Sequence, residues 1–488
     1  MSILTQRRPT TTTTSKKTSN YWLLLIAFAL GCLSFGLRLM VFQQSPYPNG
    51  WHAYHYLLQA DAFGQQAGLQ QAEYNLLIPL LYLLKSLIVD PIQSFTVLCA
   101  LIPALFTMAI FRLSFKWQQI LPLAILLGCW SIFSPHLTYF SSQHPKELLG
   151  LVCFIGFLGS IERSKNVWTY TFLILAAGTH WLGLGCCMLY FIFYCWLTGR
   201  KKSPLLWLSV LGMGGMFLWG WQLLNSGAYD FPFSPVPQFA PYSFLIEFGA
   251  NGKINFEWFL EIADATILWG LVGYFILGRQ KRNRLLLPLF LLCGCLIFPF
   301  LQWDYNGLAD MGIFYFILLP PLLLPILIRI QHLHLYKWPY LLSVLFLLGS
   351  LHASKSYQPV KHDPNYEYYE QLIEKALPFL KNRKASHLIA HAALAEMTTY
   401  QKKIKAVSWI PSENIPKAQL WRLAKDIRPS QLEYYLSQSE RRDLFQLDRQ
   451  SWIIREDLWQ SILAKSAQES DTKLLEQIQT WRNPQLMR

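Results

Sequence analysis

Charge is what this sequence has least of. Of its 488 residues 14% are charged and 53% are hydrophobic. Soluble domains carry roughly 25% charged residues, so a soluble globular class is excluded for most of the chain. Cysteine is absent from the polar loops and from the C-terminal third: all nine, from Cys32 to Cys295, lie in apolar segments. That distribution excludes a disulfide framework and a zinc-type cysteine cluster, leaving the thiols as small packing residues. No Walker loop, GxSxG or HExxH motif is present, so phosphate-cradling, serine-elbow and zincin chemistries have no foothold. An internal repeat is also lacking.

Acids are fewer than bases, 28 against 42, for a net charge of +14. Such a balance raises nucleic acid as a partner, but the positions of the cations argue otherwise. From Ser354 onward there are 21 Lys/Arg against 16 Asp/Glu, which leaves 21 against 12 before it. Many of the earlier cations sit in short connections between apolar runs, where the positive-inside rule puts them. The basicity is a topology signal, and no nucleic-acid partner is expected.

What is abundant is long apolar runs. Segments 21–42, 205–224 and 285–302 have the roughly 20 residues a helix needs to cross the hydrocarbon core. The first is long for a signal-peptide core, and no small-residue cleavage site follows it. Residues 1–20, with "TQRRPTTTTTSKK", read as a cytoplasmic tail. Further crossings are expected at 92–111, 117–134, 147–161, 167–183, 184–197, 205–224, 265–278, 285–302, 312–330 and 338–353. Laid out so that basic connections alternate, about eleven helices span residues 21–353, with the N-terminus inside. The first outer loop, 43–91, carries "PNGWHAYHYLLQADAFGQQAG" and a short apolar piece at 76–89, interrupted by Pro79 and Lys85 and read as interfacial or re-entrant. Residues 354–488 change to a soluble pattern and are expected outside as one small α/β domain. In it "SHLIAHAALAEMTTYQKK" reads as strand then helix, "KAVSWIP" as a strand, and "SWIIREDLWQSILAK" as strand then helix.

The expected outer face gathers the ionisable groups: His52, His55 and Asp61, then His136, His144, Lys146 and Glu147, then His180, and finally Asp304 and Asp310. Such groups near a bilayer are costly unless paired or wetted, which makes each a functional candidate; at a wet surface each is also readily a solvated side chain. His52 and His55 share a helical face if "HAYHYLLQ" is helical. Pro145 suits the first position of a helix, so Lys146 stands at a helix start, where free N–H groups and an ammonium favour an anion such as a lipid phosphate. The alternative is a snorkelling lysine that marks the helix end. Lys85 and Arg38 are candidates of the same kind; Arg38, inside the first span, must reach the interface or an acid. The histidines and carboxylates also allow a divalent metal site, without showing convergence. His387 and His391, four apart, would share a strand face and read as structural or interface residues.

These patches resemble the GT-C superfamily, polytopic glycosyltransferases that use polyprenyl-phosphate sugars. "GWHAYHYLLQADAFGQQAG" is similar to the "DGYYYLLQA…G" form of that family's first outer loop. "SPHLTYFSSQHPKELLG" resembles its second loop, and "GTHWLG" its Thr-His turn. The likeness covers roughly 20–350 as architecture and specific letters only in those patches. It implies an all-α polytopic domain in a plasma (bacterial inner) membrane with an α/β domain outside. It also implies a lipid-linked sugar donor and a glycan, lipid or protein acceptor, with the candidate catalytic groups drawn from His52, His55, Asp61 and Glu147. One letter departs: where the family has its acid, this sequence has His52. The acid acts as a base or binds metal, and histidine, with an ordinary pKa of about 6.5, can do both. Three readings follow: a glycosyltransferase with His52 or a neighbour as base, a GT-C frame that binds a lipid-linked glycan or partner without catalysis, and a transporter or flippase. The last is disfavoured by the missing repeat and by charges clustered at one surface.

Overall fold

The computed structural model describes residues 20–64, 75–118, 121–161, 167–199, 204–225, 348, 363–402, 405–407, 419–424 and 440–468. The expected crossings at 265–278, 285–302 and 312–330 lie outside these residues, as do Asp304, Asp310 and all of the crossing expected at 338–353 except residue 348. Among the described residues the chain is mostly helical, with a small sheet towards its C-terminal end.

The helical part comprises α1 (Asn20–Phe42), α2 (Ala53–Gly64), α3 (Leu77–Leu87), α4 (Pro91–Gln118), α5 (Leu121–Phe133), α6 (Pro135–Gln143), α7 (Pro145–Ser160), α8 (Val167–Thr179), α9 (Trp181–Thr198) and α10 (Pro204–Asn225). Proline opens α4, α6, α7 and α10, where its missing N–H would have had no intrahelical partner and its fixed φ suits the first turn. Pro79 is the third residue of α3, inside the same partnerless first turn, so the 76–89 piece forms one helix rather than an interrupted one. Only His180 separates α8 from α9.

α4 is the central element, packing against α1, α5 and α7. Among the described residues two helices, Tyr21–Phe42 and Pro91–Lys116, are long and apolar enough to cross a membrane. The first turns Phe28 and Met40 outward, 62% and 70% exposed, an apolar face that lipid covers without cost and water does not. The span expected at 21–42 is thus matched by one of these helices. The other expected crossings between 92 and 224 fall on α4, α5, α7, α8, α9 and α10, though α5, α7 and α8 are shorter than the length a single perpendicular crossing requires.

The C-terminal unit holds α11 (Tyr366–Asn382), β1 (His387–Ile389), α12 (Ala392–Lys402), β2 (Ala406–Val407), β3 (Leu420–Ala424), β4 (Leu444–Gln446), β5 (Trp452–Arg455) and α13 (Glu456–Gln468). The strands order as β2-β1-β3-β5-β4. β1 runs parallel to β2 and β3, with Leu388 opposite Ala406 and Trp421; β5 runs antiparallel to β3 and β4. Period-two alternation divides the side chains between two faces. Leu423 and Ile453 pack with Leu372, Ile373 and Leu380 of α11, whereas Trp452 and Ile454 pack with Leu458 and Ile462 of α13. Tyr366, Ala393 and Met397 are instead buried in the cluster that contains Phe42, Tyr54 and Leu57. The α/β unit therefore shares a core with the start of the helical bundle.

Candidate functional site

The site begins at Gly50. Its φ of +105° is one that L side chains rarely adopt, and a Cβ there would lie 2.1 Å from the Ser142 carbonyl oxygen at the end of α6. Only glycine allows this approach. Around it three regions of the chain are tied together. Trp51 N–H donates to Gln143 Oε1 at 3.0 Å, and Asp363 Oδ1 accepts from Gly50 N–H at 2.9 Å and from Gln143 Nε2 at 2.8 Å. Tyr366 donates its hydroxyl to the Gly50 carbonyl at 2.7 Å. Further along, Tyr47 donates to Glu370 Oε2 at 2.6 Å, and burial followed by this carboxylate pushes its phenol up to about 12.

These ties set His52 at the entrance to α2, where its carbonyl accepts from Tyr56 N–H at 3.1 Å. The residue is exposed to solvent, with protein groups packed closely around its ring. Burial pushes its imidazole below the ordinary 6.5; Glu396 opposes this, while His55, His144 and Lys146 add to it. The ring of His55 lies 6.5 Å from that of His52, as the helical reading of "HAYHYLLQ" requires. His55 Nδ1 is 3.5 Å from Glu396 Oε1 on α12, and the second oxygen of Glu396 is buried with no hydrogen-bond partner. α12 is held there by Gln401, which donates to the Tyr54 hydroxyl at 2.8 Å, and by the edge contact of His391 with Trp51 at 5.6 Å.

The start of α7 forms the adjoining wall. His144 occupies the N-cap position without a side-chain cap bond, Lys146 is the second helical residue, and Glu147 lies in the first turn. Glu147 Oε1 is 3.6 Å from His180 Nε2. Two glycines make that pairing possible: a Cβ on Gly183 would fall 2.8 Å from Gly150 Cα, so α7 and α9 cross with backbones nearly touching. The 43–91 loop is tied to the same corner by Leu76 N–H, which donates to the Gly178 carbonyl at 2.6 Å.

Other expected site residues go elsewhere. Asp61 is ion-paired with Lys85, whose ammonium also lies 5.7 Å from the Tyr400 ring centre; Asp61 thus belongs to the α2–α3 contact, and Lys85 is engaged by it. Arg38 reaches neither an interface nor an acid. It is 1% exposed between α1 and α5, donating to Ser34 Oγ and, at 2.7 Å, to the Ser131 carbonyl. Ser131 donates in turn to Thr107 at 2.9 Å, which donates to Ser34 at 3.1 Å, so a hydroxyl ring receives the guanidinium instead of a carboxylate. His136 lies on α6, the helix that ends at Gln143. Among the described residues no group of three or more His, Cys, Asp or Glu side chains is placed to hold a metal ion. His387 and His391 do not share a strand face, because β1 ends at Ile389 and His391 precedes α12; His391 is an interface residue.

Glu396, Gln143 and Asp363 are the site residues that sequence reasoning missed. Glu396 sits in "AHAALAEMTTY", legible as a helix, and no local pattern couples that helix to a loop far earlier in the chain. Compared with known proteins, the chain matches no family model and no curated protein sequence. Among the described residues the chain is mostly helical, with two candidate membrane-spanning helices and a small α/β unit that packs against the segment carrying His52.

Proposed function

We propose that this protein is a membrane glycosyltransferase of the GT-C kind, moving a sugar from a polyprenyl-phosphate donor to an acceptor hydroxyl on the outer face of the plasma membrane. The observation that carries the reading is the juxtaposition at His52 of three regions: Trp51 bonds to Gln143 just before α7, and the neighbouring His55 meets Glu396 of α12. An imidazole kept neutral by burial is a competent proton acceptor at pH 7. Lys146 beside the N–H groups of the α7 start provides positive charge for a donor phosphate. As the acceptor oxygen bonds to the anomeric carbon, its proton passes to His52. The bond from that carbon to the phosphate oxygen breaks, and its electron pair leaves with the polyprenyl phosphate.

The test is turnover of a polyprenyl-phosphate sugar by the full-length protein in lipid, together with donor affinity. Lys146→Glu is expected to weaken donor binding by about tenfold or more, since a hydrogen bond between charged groups contributes roughly 1.5–3 kcal/mol. Unchanged affinity would leave Lys146 a lysine that merely marks the interface. A wild type that binds donor but never transfers it is a binding protein on the same frame.

Topology belongs to the same reading: about eleven spans, the N-terminus cytoplasmic, and 354–488 outside. The exposed aromatic residues support it. Trp22 at the start of α1, Trp168 at the start of α8, Trp196 near the end of α9 and Trp207 at the start of α10 are all at least 60% exposed. In the expected threading all four fall at the inner interface, beside the basic connections, where an aromatic belt is favoured. A reporter active only in the cytoplasm, fused after Arg488, is expected to stay silent; a strong signal would overturn the threading.

A further inference from the structure

A carboxylate from a distant part of the chain is brought up to the first-loop histidines. The α12 residue Glu396 contributes this acid, 3.5 Å from His55 Nδ1. Its approach is not an accident of one long side chain. α12 packs directly on α2, Ala393 and Met397 are buried in the bundle's own apolar cluster, and Gln401 bonds to Tyr54 one turn beyond. The unit is latched upstream as well, where Asp363 accepts from both Gly50 and Gln143. Among the described residues the Oε2 of Glu396 is buried and lacks a hydrogen-bond partner, which is costly unless another donor or a positive charge arrives there.

We propose that Glu396 is a positioning residue for transfer: it holds the positive charge that develops on the paired first-loop imidazoles when His52 takes the acceptor proton, so the C-terminal unit completes the active site. This rests on the transferase reading above. Glu396 touches His55, whose ring lies 6.5 Å from that of His52, so the acid stabilises an imidazolium at His52 through space, without itself taking the proton. The sign agrees with the placement: a carboxylate beside His55 raises the proton affinity of His52, against the lowering by burial, His55, His144 and Lys146.

The experiment uses the full-length protein in lipid, with Glu396→Gln and the charge-retaining Glu396→Asp. One measurement is donor turnover against pH. The other is carbethoxylation of His52 by diethylpyrocarbonate, read by mass spectrometry across pH, since only the neutral imidazole reacts. In Glu396→Gln turnover is expected to fall by about 10²-fold, as for loss of a preorganised charge-stabilising group, and the labelling midpoint to move to lower pH. Glu396→Asp is expected to keep a midpoint nearer the wild type, which separates charge from misfolding. A midpoint that does not move, or a Glu396→Gln turnover within twofold of wild type, overturns the inference. If the wild type itself turns over no donor, the transferase reading fails, and with it the catalytic role of Glu396; an intact midpoint shift would then establish the pair without the reaction.

Discussion

His52→Ala is expected to lower transfer by about 10²–10⁴-fold, the usual worth of a positioned general base, with donor binding kept. The pH profile supplies the sign. A base must be neutral to accept a proton, so activity falls as pH drops through the folded-state pKa. Burial places that pKa below 6.5, with His55, His144 and Lys146 pulling in the same direction and Glu396 against it. The acid limb therefore lies below the value of an ordinary imidazole, and activity at pH 7 sits on the plateau. His52→Asp, which places a carboxylate where the imidazole stands, is expected to keep measurable turnover and to carry the acid limb further down, towards the ordinary carboxylate value of about 3.9. Near-wild-type turnover in His52→Ala would move the base elsewhere, and the Glu147–His180 pair, at 3.6 Å, is the next place to look.

How much of this was legible before the structure depends on the range over which each signal acts. Helices are local, and apolar runs marked α7 and α10 closely at both ends and α4 at its start, although α4 runs on to Gln118, past the expected end at 111. The same locality made "SHLIAHAALAEMTTYQKK" readable as β1 and α12. β3, β4 and α11 were missed; β3 and β4 are short strands whose identity comes from pairing with β5 and β1 rather than from their own pattern. Length in a membrane setting is a weaker guide, because α5 and α8 are 13 residues each and short helices lean on their neighbours.

Side-chain partners were far less legible. Arg38 was expected to seek an acid or the interface because a buried cation needs compensation. The compensation came from Ser34, Thr107 and Ser131, which look inert inside apolar helices yet together present enough oxygens. Asp61 and Lys85 sit on two neighbouring helices of one loop, a pairing fixed by how α2 folds back on α3. Glu396 reaches His55 only because a separate unit docks, and docking leaves no periodic trace in either segment.

That docking predicts the second large effect, at Gly50. Gly50→Ala adds one carbon where the backbone has φ +105° and where the Ser142 oxygen already occupies the space, 2.1 Å from the new atom. Backbone in a sparsely populated region costs about 1–3 kcal/mol for a residue with a side chain. The clash adds to this, because backbone cannot rotate aside as a side chain can. Relief requires the loop to lift, which breaks the bonds from Gly50 N–H to Asp363, from Trp51 N–H to Gln143 and from Tyr366 to the Gly50 carbonyl. At about 0.5–1.5 kcal/mol for each bond, the whole change is on the order of 5 kcal/mol, a large share of what holds a typical domain folded. Gly50→Ala is therefore expected to lower the thermal midpoint steeply and to release the C-terminal unit, making the segment from Asp363 to Lys402 more susceptible to limited proteolysis. Transfer should fall with it, because His52 and Glu396 are brought together by this latch. A variant that keeps the wild-type midpoint and proteolysis pattern would mean that the 43–91 loop does not press on α6 through Gly50. In that case the juxtaposition at His52 is not held by the contacts described above.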